Sequence, residues 1–233
     1  MRTPPGFDSA KRYPVVVQVY GGPGVATVTR SWAPPEDQIY LEAGYILFRL
    51  DNRGSANRSV AFKTAIHKQM GGPEVADQIA GATYLKSLPY VDPARIGVTG
   101  FSYGGYMTAK MLEADPGVYA AGVAGAPVTQ WDLYDTHYTE RYMLTPQENP
   151  AGYAKSAVTG RLDNLKPGSL FLLHGMADDN VSFDNSTRIM AALQAKGTAF
   201  ELMTYPGLRH RAGWTQAHKL HRARATLDFF GRK

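Results

Sequence analysis

The chain contains no cysteine among its 233 residues. This absence excludes disulfide bonds, thiol catalysis and cysteine metal sites, and it does not decide between cellular compartments. The sequence also lacks an apolar run long enough to cross a bilayer, and its N-terminal residues lack the apolar core of a secretory signal. We therefore expect a soluble protein without a membrane span, and both the periplasm and the cytoplasm remain open as its location.

Acidic side chains are slightly outnumbered, since 25 Lys and Arg face 20 Asp and Glu and give a net charge of +5. The basic excess is concentrated late in the chain, after residue 209. No recognised nucleic-acid module or set of stacking aromatics accompanies it. We therefore interpret this basic stretch as the solvated face of an outer helix and expect no nucleic-acid partner.

Apolar, β-branched segments alternate with segments of helical spacing along the whole chain. Strands are predicted at residues 13–20, 44–50, 96–101, 120–127, 170–175 and 200–205, and helices at 34–43, 73–88, 183–196 and 214–230. This alternation predicts an α/β fold, with a doubly wound, mostly parallel sheet and helices on both faces in three layers. Residues 92–95 are predicted to turn the chain into the third strand. Without linkers or repeats, residues 1–233 are expected to form a single domain.

The segment that organises the chain is a buried strand, a tight turn and a helix around Gly100-x-Ser102-x-Gly104. This pattern is typical of the nucleophile elbow of the α/β-hydrolase fold. A serine on such a turn is crowded by the residues two positions away on each side, so both must lack a Cβ. The helix that follows directs backbone N–H groups at the site where an oxyanion would form.

Ser102 needs a base, and the chain order Ser, acid, His excludes the three histidines that precede the candidate acids. His218 and His221 lie within the last predicted helix, where a solvated face is expected, which leaves His210. His210 lies just beyond the last predicted strand, whereas His174 ends a strand before the candidate acids and is interpreted as a core or supporting residue. The acid is expected in the loop after the fifth strand. Asp178 and Asp179 compete there, and spacing alone does not choose between them.

Several motifs resemble the catalytic domain of the prolyl oligopeptidase family, and most closely its dipeptidyl peptidase IV branch. The resemblance covers nearly the whole chain. It is carried by residues 19–23 (VYGGP), 51–55 (DNRGS), 100–106 (GFSYGGY), 131–142 (WDLYDTHYTERY) and 174–181 (HGMADDNV). By this resemblance the triad consists of Ser102 as nucleophile, Asp178 as acid and His210 as base.

The resemblance also implies roles around the triad. The Tyr20 hydroxyl and the backbone N–H of Tyr103 would hold the oxyanion. Asn180 would orient the substrate carbonyl. A compact pocket for a proline or alanine side chain would be formed by Val128, Trp131, Tyr134, Tyr138 and Val181.

Two departures from the family pattern stand out. Arg211 follows the base where the family usually has glycine, so the base loop is expected to differ. The family also places a β-propeller ahead of this domain, and that propeller grips the free amino terminus of the peptide. We expect this propeller to be absent here, so that dipeptide release is not predicted from this chain.

The sequence thus predicts a serine peptidase that cleaves after Pro or Ala through an acyl-enzyme, without metal or cofactor. One alternative is a free-standing carboxylesterase with the same triad, which would accept small esters. The other is a catalytically weak domain that mainly pairs with another subunit, either a second copy in a homodimer or a separate propeller.

Overall fold

The computed structural model describes residues 1–32 and 34–233. The strands are β1 (Tyr13–Gln18), β2 (Ile46–Phe48), β3 (Val91–Phe101), β4 (Ala121–Gly125), β5 (Leu170–Gly175) and β6 (Glu201–Tyr205). They form one sheet with the order β2-β1-β3-β4-β5-β6, in which every neighbouring pair is parallel. Parallel neighbours need crossover connections, which helices supply. The predicted α/β class with a parallel sheet is thereby confirmed.

Most of the helices begin at a side-chain cap or a proline. The helices are α1 (Pro35–Glu42), α2 (Val60–Thr64), α3 (Pro73–Ser87), α4 (Tyr103–Ala114), α5 (Thr136–Met143), α6 (Pro150–Ser156), α7 (Asp184–Ala195) and α8 (Gln216–Gly231). Proline opens α1, α3 and α6, where its missing N–H costs nothing. Within the described residues, no helix combines the length and apolarity that a membrane span requires.

The apolar core lies on both faces of the sheet, as the uninterrupted valines of β1 predict. Val15 and Val17 pack in the cluster that includes Met107 of α4. Val16 points to the opposite face, into the cluster that includes Phe229 of α8. Alternate residues of a strand face opposite sides, so a strand covered by helices on both sides is apolar throughout. Each such fully buried side chain contributes about 1.5–3 kcal/mol.

One predicted turn was wrong. The expected turn at residues 92–95 lies inside β3, because Tyr13 pairs with Val91 before Val15 pairs with Ile96 and the register shifts between the two pairs. After β4, the aromatic run forms a 3₁₀ turn at Trp131–Leu133, which precedes α5. The short helix α2 follows no periodic signal in the sequence.

Candidate active site

The carboxyl edge of the sheet gathers the side chains predicted to be catalytic. Tyr20 follows β1, Ser102 follows β3, Asp178 follows β5 and His210 follows β6. Residues beyond the carboxyl ends of parallel strands meet at one edge, which is where ligands bind in open α/β sheets. The acid and base loops are also joined directly, because the Ala177 N–H donates to the Leu208 carbonyl at 3.1 Å.

Ser102 occupies a strained turn between β3 and α4. Its φ of 62° and ψ of −120° lie in a region that residues with a Cβ rarely adopt. The turn is held because the Ser102 N–H donates to the Gly125 carbonyl at 2.8 Å. A Cβ at Gly100 would lie 2.4 Å from the carbonyl oxygens of Val19 and Gly104, and one at Gly104 would lie 2.3 Å from that of Val19. Both flanking glycines are therefore required by close backbone contacts.

Asp178 is the carboxylate that contacts the predicted base. His210 Nδ1 lies 2.7 Å from Asp178 Oδ2, and the Asp178 side chain is 1% exposed. The second oxygen, Oδ1, accepts the N–H groups of Asn180 and Val181 at 2.9 Å each. Burial alone would raise the pKa of Asp178, but hydrogen bonds from His174, His210 and the backbone outweigh it and lower that pKa. The carboxylate is thus ionised and holds a proton on His210 Nδ1.

Asp179 has a different environment. Its side chain is 53% exposed, and its carboxylate pairs with the guanidinium of Arg209 at 3.2 Å. Adjacent side chains on the loop point apart, so only one of the two carboxylates contacts the imidazole. The ambiguity that spacing left open is thereby resolved at the level of contacts, in favour of Asp178.

The ring of His210 is held from several sides. Phe101, the residue before Ser102, packs against it with ring centroids 4.9 Å apart. The base loop is fixed because Trp214 Nε1 donates to the Arg209 carbonyl at 2.8 Å. Arg211 does not disturb this arrangement, since His210 stays buried and bonded to Asp178. With Nδ1 donating to the carboxylate, His210 Nε2 is the nitrogen able to accept a proton.

His174 supports the same carboxylate from below. Its Nε2 lies 2.9 Å from the Val181 carbonyl and 3.3 Å from Asp178 Oδ2. Both neighbours are acceptors, so Nε2 carries a hydrogen, while Nδ1 lies 2.7 Å from Ser186 Oγ. His174 is fully buried, as expected of a core or supporting residue. His174 stands four residues before Asp178, and this spacing is the feature of the sequence that indicates the contact.

Tyr20 contributes its side chain to the cavity, whereas the side chain of Tyr103 is buried and only its backbone N–H is available there. The Tyr20 side chain lines a cavity of about 600 Å³ together with Ser102 and His210. Burial raises the pKa of Tyr20, so its hydroxyl remains a hydrogen-bond donor at neutral pH. The Tyr103 side chain is buried instead and donates to Glu74 at 2.9 Å. Its backbone N–H opens α4 and has no helical carbonyl to bond, which leaves it available at the turn.

The predicted substrate pocket divides into lining and supporting residues. Tyr134, Tyr138 and Asn180 line the same cavity, and the Tyr134 hydroxyl donates to Asn180 Oδ1 at 2.9 Å. Three further residues are almost completely buried and do not line it: Val128, Trp131 and Val181. Trp131 stacks on Tyr138 with centroids 6.1 Å apart and an interplanar angle of 21°, so it stiffens the aromatic wall from behind.

The cavity wall includes three residues that were not assigned to the site from the sequence. They are Asp179, Arg211 and Ala212, all exposed at the surface. Their position follows from the acid and base loops lying side by side. This proximity cannot be read from residues more than thirty positions apart.

An all-parallel α/β sheet with a serine elbow and with acid and base loops at its carboxyl edge defines an α/β-hydrolase domain. The model of the prolyl oligopeptidase family matches residues 33–233. A relative from Aspergillus flavus named "Probable dipeptidyl peptidase 4" is 40% identical over 86% of this chain and 27% of its own length. A "Probable dipeptidyl-aminopeptidase B" from Trichophyton verrucosum is 39% identical over 99% of this chain and 26% of its own length.

Solved structures give the same result. The dipeptidyl peptidase 4 of Porphyromonas gingivalis superposes with a TM-score of 0.94 at 35% identity, over 99% of this chain and 33% of that one. The chain belongs to the prolyl oligopeptidase family of peptidases. It spans about a quarter of the length of the curated relatives it matches.

Proposed function

We propose that this chain is the catalytic domain of a serine peptidase of the dipeptidyl peptidase IV type, which cleaves peptide bonds after Pro or Ala. The observation that carries the proposal is the bond from His210 Nδ1 to Asp178 at the edge where Ser102 stands on its elbow. Residues 1–233 would act as a single catalytic unit. Relatives named as dipeptidyl peptidases support a peptidase of that type.

The reaction proceeds by acyl transfer. His210 takes the proton of Ser102 as the serine oxygen attacks the carbonyl carbon, and Asp178 stabilises the imidazolium that forms. The C–N bond then breaks, and His210 returns the proton to the leaving amine. Water, deprotonated by the same imidazole, releases the acid and restores the serine. No metal or cofactor takes part in these steps.

The oxyanion and the proline or alanine side chain of the substrate would bind at different walls of the cavity. The Tyr20 hydroxyl and the Tyr103 backbone N–H would donate to the negative oxygen of the tetrahedral intermediate. Tyr134 and Tyr138 would contact the proline or alanine side chain, since an aromatic wall suits a compact apolar group. Asn180 uses its Oδ1 for the Tyr134 hydroxyl, so its amide nitrogen is the group left to bind a substrate carbonyl.

We assign recognition of a free amino terminus to residues other than those that line the described cavity. The chain spans about a quarter of its curated relatives, and the described cavity presents no unpaired carboxylate for an ammonium group. We therefore propose cleavage after Pro or Ala as the property of this domain. Release of dipeptides would require a further domain.

The test compares hydrolysis of a Gly-Pro anilide with that of a short-chain nitrophenyl ester, each with wild-type protein and Ser102→Ala. We expect both substrates to turn over and both activities to disappear in the variant, together with labelling by an organophosphonate. Labelling that persists in Ser102→Ala would refute the elbow assignment. Turnover of neither substrate would favour a domain that acts mainly by pairing with another subunit.

A carboxylesterase is the second candidate, and the open cavity favours it. Exposed residues, among them Asp179, Arg211 and Ala212, form part of its wall, so small esters can enter without a covering domain. Turnover of the ester alone, with a matched amide left intact, would select this alternative.

A further inference from the structure

Arg211 brings an uncompensated charge to the catalytic cavity. It lines the cavity with Ser102 and His210 and lies at the protein surface. Among the described residues, no carboxylate forms an ion pair with it and no acceptor forms a hydrogen bond with its side chain. A guanidinium that a protein leaves without a partner beside its nucleophile is available to a ligand.

The two carboxylates at the cavity already have ion-pair or hydrogen-bond partners. The carboxylate of Asp179 pairs with Arg209 at 3.2 Å. That of Asp178 is buried under His210 and His174 and accepts hydrogen bonds at both oxygens. Neither carboxylate therefore pairs with Arg211.

The guanidinium also acts on the interior of the cavity. The positive charge of Arg211 opposes the burial that raises the pKa of Tyr20, and it does the same at Tyr134. These two hydroxyls lie on the oxyanion and substrate walls. The charge thus faces the space that a substrate would fill, between both walls.

We propose that Arg211 is a specificity-determining residue that selects substrates carrying a carboxylate on a side chain within two residues of the scissile bond, on either side of it. This inference rests on the proposed serine-hydrolase function. The planar guanidinium can donate two parallel hydrogen bonds to a carboxylate, which neutral and basic side chains cannot accept.

The test uses substrate pairs that differ only in charge. Gly-Pro-Asp-Gly is compared with Gly-Pro-Asn-Gly, and the anilide of Asp-Pro with that of Asn-Pro. We expect kcat/KM to favour the acidic member of at least one pair by about two- to fivefold, as exposed ion pairs allow. The preference should shrink at high salt and disappear in Arg211→Gln. Arg224→Gln is the matched control, since it removes the same charge from the exposed face of α8 and should keep the preference.

Two outcomes would overturn the inference. If Arg211→Gln lowers kcat equally for acidic and neutral substrates, the guanidinium stabilises the oxyanion instead of selecting the substrate. If wild-type protein shows no acidic preference in either pair, Arg211 does not bind the substrate.

Failure of the proposed function itself would be distinguishable. If no peptide or anilide turns over, selection by charge is measured with two organophosphonates that differ only in carrying a carboxylate or the corresponding amide. The measured quantity is the rate at which each reagent labels Ser102. Faster labelling by the acid, lost in Arg211→Gln, would support the inference without peptidase activity. Equal rates, or no labelling by either reagent, would overturn it.

Discussion

Replacing Asp178 by asparagine is the sharpest perturbation of the candidate triad. The carboxylate accepts hydrogen bonds at both oxygens: two backbone N–H groups at Oδ1, and His210 and His174 at Oδ2. An asparagine amide has one oxygen and one NH₂ group, so the NH₂ group must take the position of one of the two carboxylate oxygens. The backbone donors cannot change, whereas the imidazole of His210 can move its proton. We therefore expect the NH₂ group to face His210, which leaves Nδ1 as an acceptor and puts the proton on Nε2.

The magnitude follows from this change of tautomer. An imidazole that carries its proton on Nε2 cannot accept the proton of Ser102, and such a change in a serine triad costs about 10⁴ in rate. That factor corresponds to about 5.5 kcal/mol of transition-state stabilisation. Asp179→Asn removes only a half-exposed pair with Arg209, worth about 0.2–1 kcal/mol, and should change the rate by less than about fivefold.

The assay measures kcat/KM of both variants on the substrate that wild-type protein turns over fastest. Thermal unfolding of each variant confirms that the fold is retained, and titration with an organophosphonate gives the fraction of competent sites. We expect a ratio of at least about 2 × 10³ between the two variants, from a loss of about 10⁴ against one below about fivefold. A greater loss in Asp179→Asn, or a loss below tenfold in Asp178→Asn, would refute the assignment of the acid.

Three further predictions concern other parts of the molecule. Tyr20→Phe should lower kcat by about 10²–10³ with little change in the melting temperature, as expected for loss of one oxyanion donor; a rate near that of wild type would remove the hydroxyl from the mechanism. Gly104→Ala places a Cβ 2.3 Å from the Val19 carbonyl and should destabilise the chain by about 1–3 kcal/mol or more in denaturant unfolding, unlike the same change at exposed Gly231, where a Cβ meets nothing within 4 Å. Burial raises the pKa of Glu113 from 4.5 to about 7 despite its pairing with Lys110. The folded chain thus keeps a proton that the unfolded chain releases, so the free energy of unfolding should fall as pH rises from 4.5 to 7, and Glu113→Gln should flatten that slope.

Much of this architecture could be predicted from local patterns. The valines of β1 form an uninterrupted apolar run, which is required of a strand covered on both faces. The glycines around Ser102 reflect backbone contacts within a few residues of the turn and its neighbouring strand. In both cases the physical cause lies in residue type and spacing, which the sequence displays directly.

Other features depend on contacts that spacing does not contain. Trp131 and Tyr138 belong to one aromatic run, yet one is buried behind the wall and the other lines the cavity. Asp178 and Asp179 are chemically identical neighbours, and only the return of His210 from a later loop distinguishes them. The five-residue helix α2 depends on the cap from Ser59 and shows no apolar periodicity that could predict it.

The loop that carries His210 is connected to helix α8 through two aromatic rings. Arg222 of this helix lies over the rings of Phe101 and Trp214, and these two rings respectively support His210 and pin its loop. The same helix is anchored a few turns later by Phe229, which is buried against Phe171. The position of the His210 ring therefore depends on the packing of α8, whose C-terminal half is anchored by Phe229. We expect that local unfolding of this helix would release the loop that carries His210 and leave the paired strands of the sheet in place.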